Sequence, residues 1–205
     1  MLIFLPALVY IVTVHFKDPM QIPVVITGVL SSVIFCILKA FFSYMHRVAP
    51  AGFVWNFIYI LFARILLPVI IVYLLFLHFS NDDRQFKARS FFPLLGSFYT
   101  VFLPYCIIAG NGSAFSFFEL FLEPVMYGLM LLSAAECVQM IYDNGWRFLS
   151  TAGLVLALVT PAAVQTCWFT GMSFAIWLSL YIVYTGTALF GCFSDIKTHN
   201  GYLFG

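Results

Sequence analysis

Five charged residues stand inside long apolar runs: Lys39, Arg64, Glu119, Glu123 and Glu136. A charge at the centre of a bilayer costs about 2.5 to 3.5 kcal/mol on insertion scales, and it persists where it finds a partner, a polar cavity or a task. The types here are complementary. Lys39 and Arg64 are cations on two separate runs, whereas Glu119 and Glu123 lie four residues apart on a third and so share one helical face. At a rise of about 1.5 Å per residue, Arg64 sits roughly 15 Å below the outer end of its run, and Lys39 and Glu123 each roughly 9 Å below theirs. An arginine side chain spans that difference. We therefore expect a charge-balanced cluster in the outer half of a helical bundle, with Arg64 meeting Glu123 before Glu119. Glu136 is rotated about 140° from Glu123 around the same helix and belongs to the opposite, inner half.

Prolines adjoin two of these charges. Pro68 comes four residues after Arg64 and has no N–H, which frees the Arg64 carbonyl and kinks the helix; Pro124 is the residue directly after Glu123. Freed carbonyls beside charges line substrate cavities in transporters, and they also serve as packing devices. The pattern supports two readings. In one, Arg64 and Glu123 contact a solute or coupling ion, Lys39 and Glu119 form the mouth, and Gln165 with Thr160 completes the wall. In the other, ion pairs fix helix register while Lys39 and Glu119 snorkel outward.

The elements that must position these residues are apolar runs of membrane-crossing length, for which about 20 residues suffice. They are Met1 to Phe16, which is short, then Ile22 to Met45, Val54 to Phe79, Ser90 to Ala109, Phe117 to Met140, Ser150 to Phe169 and Met172 to Phe193. Polar stretches separate them at Ser80 to Arg89, Gly110 to Ser113 and Tyr142 to Arg147, with a pinch at Thr170-Gly171. The runs are apolar all round, without the two-residue alternation of a membrane β-barrel. The expected fold is an all-α integral membrane protein, a single-domain bundle over residues 1–205. It has seven transmembrane helices, or six if the first run does not cross. Gly171, Ala175 and Ser179 recur at four-residue spacing and predict a small-residue seam for close helix contact.

Composition agrees. Of 205 residues, 63% are hydrophobic and 8% charged, against about 25% charged in soluble domains, so too little charge exists to cover a water-facing surface. A net charge of +1 offers no basic face for nucleic acid. No His-Glu-x-x-His pair, Gly-x-Ser-x-Gly elbow or phosphate loop is present, so no catalytic residue is assigned. The four histidines are read as interfacial, and the five cysteines, lacking Cys-x-x-Cys spacing, as free buried thiols; neither metal nor cofactor is called for. The expected partners are the lipid bilayer, a small polar solute or ion, and, in the second of the functional readings below, other membrane subunits. The expected activity is that of a small permease or channel-like carrier of a polar or charged small solute. A non-catalytic subunit or assembly scaffold of a larger membrane complex is the alternative, and a lipid-modifying membrane enzyme the third reading.

Lys17, Arg84, Lys87, Arg89, Arg147 and Lys197 fall on one side of the seven-span layout, and Arg47 on the other. Basic loop residues stay in the cytoplasm, so the N-terminus is expected outside or in a lumen and the C-terminus inside. A cysteine placed at Gln85 should then resist an impermeant thiol reagent applied to intact cells and react after permeabilisation. Labelling in intact cells would reverse the orientation.

Overall fold

The computed structural model describes residues 22–45, 52–78, 84–110, 116–144 and 148–198. Among them the regular structure is entirely helical, with no strand. Lipid offers no hydrogen-bonding partner for a bare backbone, and a helix closes every bond within its own segment. Helix α1 spans Ile22–Met45. Helix α2 is continuous over Phe53–His78, with a π turn at Leu61–Leu66 between two α-helical parts. Helix α3 covers Arg84–Gly110. Helix α4 begins with a π turn at Phe118–Leu122 and continues as Glu123–Asn144. Helices α5 and α6 span Phe148–Phe169 and Phe174–Thr198.

Five of these, α1 to α5, carry stretches long and apolar enough to cross a membrane, and the chain is a multi-pass integral membrane protein. The expected count of seven is not reached among the described residues. The described apolar part of α6, Phe174–Thr187, is shorter, and the run Met1 to Phe16 lies outside the described residues. Two boundaries also differ from expectation. Arg84 to Arg89, expected as loop, form the first turns of α3, and α4 continues past Met140 to Asn144. Arg, Gln, Lys and Ala are good helix formers; their polarity marks where a helix leaves the apolar layer, not where it ends.

Helices α3 and α4 form the centre. Leu94, Leu95 and Phe98 of α3 and Met126, Met130 and Ala134 of α4 are fully buried, whereas Ile26, Leu30, Ile34 and Ile37 of α1 face outward. Helix α5 lies along α4, and α6 packs on both. Helices α1 and α2 both lean on α3, with little packing against each other. The approach of α1 to α3 depends on Gly28: a Cβ there would stand 2.7 Å from the Leu94 carbonyl oxygen and collide with Ser97 Oγ.

The pinch between α5 and α6 is a tight turn with a definite geometry. Gly171 adopts φ 67°, its N–H donates to the Trp168 carbonyl at 3.1 Å, and the Met172 N–H donates to the Cys167 carbonyl at 3.0 Å. This paired pattern closes a helix through a left-handed residue, the conformation glycine adopts without steric cost. The small-residue seam is corrected: Gly171, Ala175 and Ser179 are exposed. Helix α6 instead turns Trp177, Tyr181 and Tyr184 inward, where aromatic rings bury far more area than the small side chains would. Cys36, Cys106 and Cys167 are free buried thiols and Cys137 is a free, half-buried one; the side chain of Cys192 lies outside the described residues.

Gly28→Ala should push α1 away from α3 and destabilise the bundle by about 1 to 3 kcal/mol, the usual penalty of overpacking. Adding Ser97→Ala should recover only part of the loss, because the Leu94 carbonyl remains in the way. Thermal unfolding in mild detergent measures both, and an unchanged melting temperature for Gly28→Ala would contradict the close approach.

Candidate functional site: a buried ion pair beside two π turns

Arg64 belongs to the π turn of α2, and Glu123 is the residue immediately after the π turn of α4. A π turn carries an extra residue and leaves the ordinary hydrogen-bond ladder locally broken. Both turns adjoin a proline. Pro68 offers no N–H to the Arg64 carbonyl, and the Tyr99 hydroxyl of α3 donates to that carbonyl at 3.0 Å. On α4 the Tyr181 hydroxyl of α6 donates to the Leu122 carbonyl at 3.2 Å. Tyrosines of neighbouring helices thus supply donors to carbonyls at both irregular turns.

Arg64 Nη1 donates to Glu123 Oε1 at 3.2 Å, forming an ion pair whose side chains are 13% and 1% exposed. Gln165 Nε2 of α5 donates to the same oxygen, and the Tyr127 hydroxyl of α4 donates to Gln165 Oε1 at 3.1 Å. Glu123 and Tyr127 are one turn apart, so they hold Gln165 from the same face of α4. The guanidinium of Arg64 also lies over the Phe169 ring, 5.3 Å from its centroid, which adds cation–π attraction. The other carboxylate oxygen, Glu123 Oε2, is buried and has no hydrogen-bond partner among the described residues.

Lys39 reaches the edge of this group from α1. Its Nζ donates to the carbonyl of Ala63, the neighbour of Arg64, at 3.2 Å and to Cys106 Sγ at 3.6 Å. It lies over the Phe102 ring, 4.7 Å from the centroid. The Cys106 thiol of α3 thus lies against the Lys39 ammonium, with Arg64 and Glu123 within electrostatic reach.

The remaining candidates fall elsewhere. Glu119 caps the start of α4: its Oε2 accepts from the Ser116 N–H at 2.9 Å and the Ser116 hydroxyl at 2.8 Å, and its own N–H donates back to that hydroxyl at 3.3 Å. This reciprocal arrangement is a capping box, and its charge remains within electrostatic reach of Glu123. Thr160 does not join the cluster. Its hydroxyl donates to the Leu156 carbonyl of its own helix at 2.8 Å, and five residues place it about 140° around α5 from Gln165. Glu136 is buried on α4, while His78 of α2 is exposed. Cys106, Tyr99, Tyr127, Phe102 and Phe169 are site residues that the sequence pattern does not single out. Only Tyr127 carries a usable signal, its four-residue spacing from Glu123.

The chain matches no protein-family model, and neither a curated protein nor a solved structure proves similar to it. Its chemistry lies in the geometry of the site. That geometry supplies a fixed cation–carboxylate pair, a second cation nearby and one carboxylate oxygen without a donor among the described residues. Among the described residues no group of three metal-ligating side chains occurs.

Removing one partner of a buried ion pair strands the other charge, at about 3 to 5 kcal/mol. Arg64→Ala should therefore lose folded protein, and Arg64→Ala combined with Glu123→Ala should regain part of it. Detergent-solubilised yield and melting temperature are the measurements; a double variant no better than Arg64→Ala would show that the pair carries no such coupling.

Proposed function

We propose that the protein is a small membrane carrier for a polar or charged solute, with Arg64, Glu123 and Gln165 at its binding site. The observation that supports this reading is the inward convergence of the charges: Arg64 and Glu123 face each other inside the bundle, with the carboxylate 1% exposed. A subunit that uses intramembrane charge to recruit another chain would present it on an outer helix face. Helix irregularity supports the same reading. Carriers place kinked or broken helices at a mid-membrane site so that one part of the bundle can rearrange against another. Here both helices of the ion pair have π turns at the pair itself. Refolding such a turn as ordinary α-helix would rotate the segment beyond it by about one residue, roughly 100°.

In this reading the C-terminus is cytoplasmic and the cluster lies in the outer half of the bundle. Lys39 lies beside the pair and Glu119 at the start of α4.

Glu123→Gln keeps the shape and much of the hydrogen bonding while removing the charge. A carrier with this change should have a lowered melting temperature, because Arg64 keeps an acceptor but loses its counter-charge, yet yield monodisperse protein for assay and lose solute flux in proteoliposomes. Mass determination after purification in mild detergent tests the alternative. A lone or self-associated chain agrees with the carrier, whereas a stoichiometric second protein whose retention falls in Glu123→Gln would establish the subunit role instead.

A further inference from the structure

Two needs at the site are unmet by the described residues. The first is a counter-charge for Lys39. Its ammonium has the Ala63 carbonyl, the Cys106 thiol and the Phe102 ring as neighbours, and among the described residues no carboxylate stands at ion-pair distance from it. Arg64, the nearby second cation, repels it and is already answered by Glu123. Glu119, the fourth charge, is within electrostatic reach of Glu123 but engaged in its cap; without it these three side chains sum to one positive charge, in a setting where an unanswered charge is costly. The second need is a donor. Glu123 Oε1 accepts from both Arg64 and Gln165, and Glu123 Oε2, buried, accepts from none among the described residues. A buried carboxylate oxygen left without a donor is penalised by its full desolvation.

One ligand can meet both needs. A simple anion would answer Lys39 and leave Oε2 bare. A simple amine would answer Oε2 and leave Lys39 without a counter-charge. We propose that the solute is a small organic oxyanion that also carries a hydrogen-bond donor, an α-hydroxy or α-amino acid being the smallest of that class. Its anionic end lies between Lys39 and Arg64 beside the Cys106 thiol, and its hydroxyl or ammonium donates to Glu123 Oε2. The assignment deepens the carrier reading and rests on it for transport; binding itself does not depend on transport.

The same chemistry, an oxyanion with a donor a few bonds away, is found in a phosphatidylethanolamine headgroup, which a membrane supplies to a chain that spans it. The test separates the two sources. The full chain in a neutral maltoside detergent is titrated with glycolate, glycine, acetate and ethylammonium at constant ionic strength, and thermal unfolding is followed. Glycolate or glycine should stabilise it saturably, about tenfold more tightly than acetate, the worth of one hydrogen bond to a charged group; ethylammonium should have no effect. Lys39→Gln should abolish the response and Lys39→Arg preserve it, while Glu123→Gln should bring glycolate and acetate closer together. If Lys39→Gln does not fold, the difference between glycolate and acetate on the native chain decides the matter.

Equal affinity for acetate and glycolate would overturn the donor contact. No saturable response, or an unchanged one in Lys39→Gln, would overturn the anion site. In a parallel arm without added solute, the chain is placed in nanodiscs of phosphatidylcholine with or without phosphatidylethanolamine. Lys39-dependent stabilisation by phosphatidylethanolamine alone would overturn the water-soluble assignment in favour of the headgroup. Glycolate that binds but does not cross proteoliposomes would uphold the site and remove the carrier reading.

Discussion

A guanidinium and a carboxylate held away from water must stay together, and that requirement fixes the rotation of α2 against α4. Neither helix can turn about its axis without stranding a charge in a medium that cannot solvate it. The other contacts of the site are arranged around this pair. Gln165 ties α5 to the same oxygen that accepts from Arg64. Tyr99 ties α3 to the carbonyl of Arg64, and Tyr181 ties α6 to that of Leu122. Helices α2 to α6 are thus joined through one ion pair and its immediate hydrogen bonds, and Lys39 brings α1 to its edge through Ala63.

The two π turns are placed where the helices have most to reconcile. Each helix must present its charge to the other, continue across the bilayer and accommodate a proline that lacks a donor. An extra residue in the turn changes the angular position of the segment beyond it, and neighbouring hydroxyls satisfy carbonyls at the disturbed ladder. The cost of this local irregularity is offset by aromatic contact around it: Phe118 stacks on Trp168 at 4.8 Å, and Trp168 meets Trp177 edge-on at 5.2 Å. In the sequence these rings are indistinguishable from the many other Phe and Trp residues, because composition does not reveal which of them meet.

Legibility in the sequence tracks energetic cost in lipid. Charges in apolar runs are so unfavourable that depth along the helix suffices to match Arg64 with Glu123. Cheaper features are harder to read. Thr160 and Gln165 look like one polar group in sequence, yet five-residue spacing separates them around a helix, and a hydroxyl can satisfy itself on its own backbone without revealing a face. The depth of Lys39 suggests a mouth, but its long stem reaches sideways to α2 and α3. The Ser116-x-x-Glu119 capping signature is present in the sequence and is masked by the charge of Glu119, which invites a functional reading. Helix ends at Arg84 and Asn144 escape hydropathy, which reports the edge of the apolar layer, whereas the backbone reports the edge of the helix. The seam of Gly171, Ala175 and Ser179 fails because spacing alone does not say which face turns inward.

The turn at Gly171 also bears on the order in which the site is assembled. Only Thr170 to Ser173 separate α5 from α6, so the two helices make a hairpin, and Tyr184 of α6 joins its arms by donating to the Ala157 carbonyl of α5 at 3.5 Å. Glu123 and Tyr127 precede Gln165 in the chain. The order of synthesis therefore delivers the amide last, to partners already made on α4, and α5 does not lack them when its polar side chain must be satisfied.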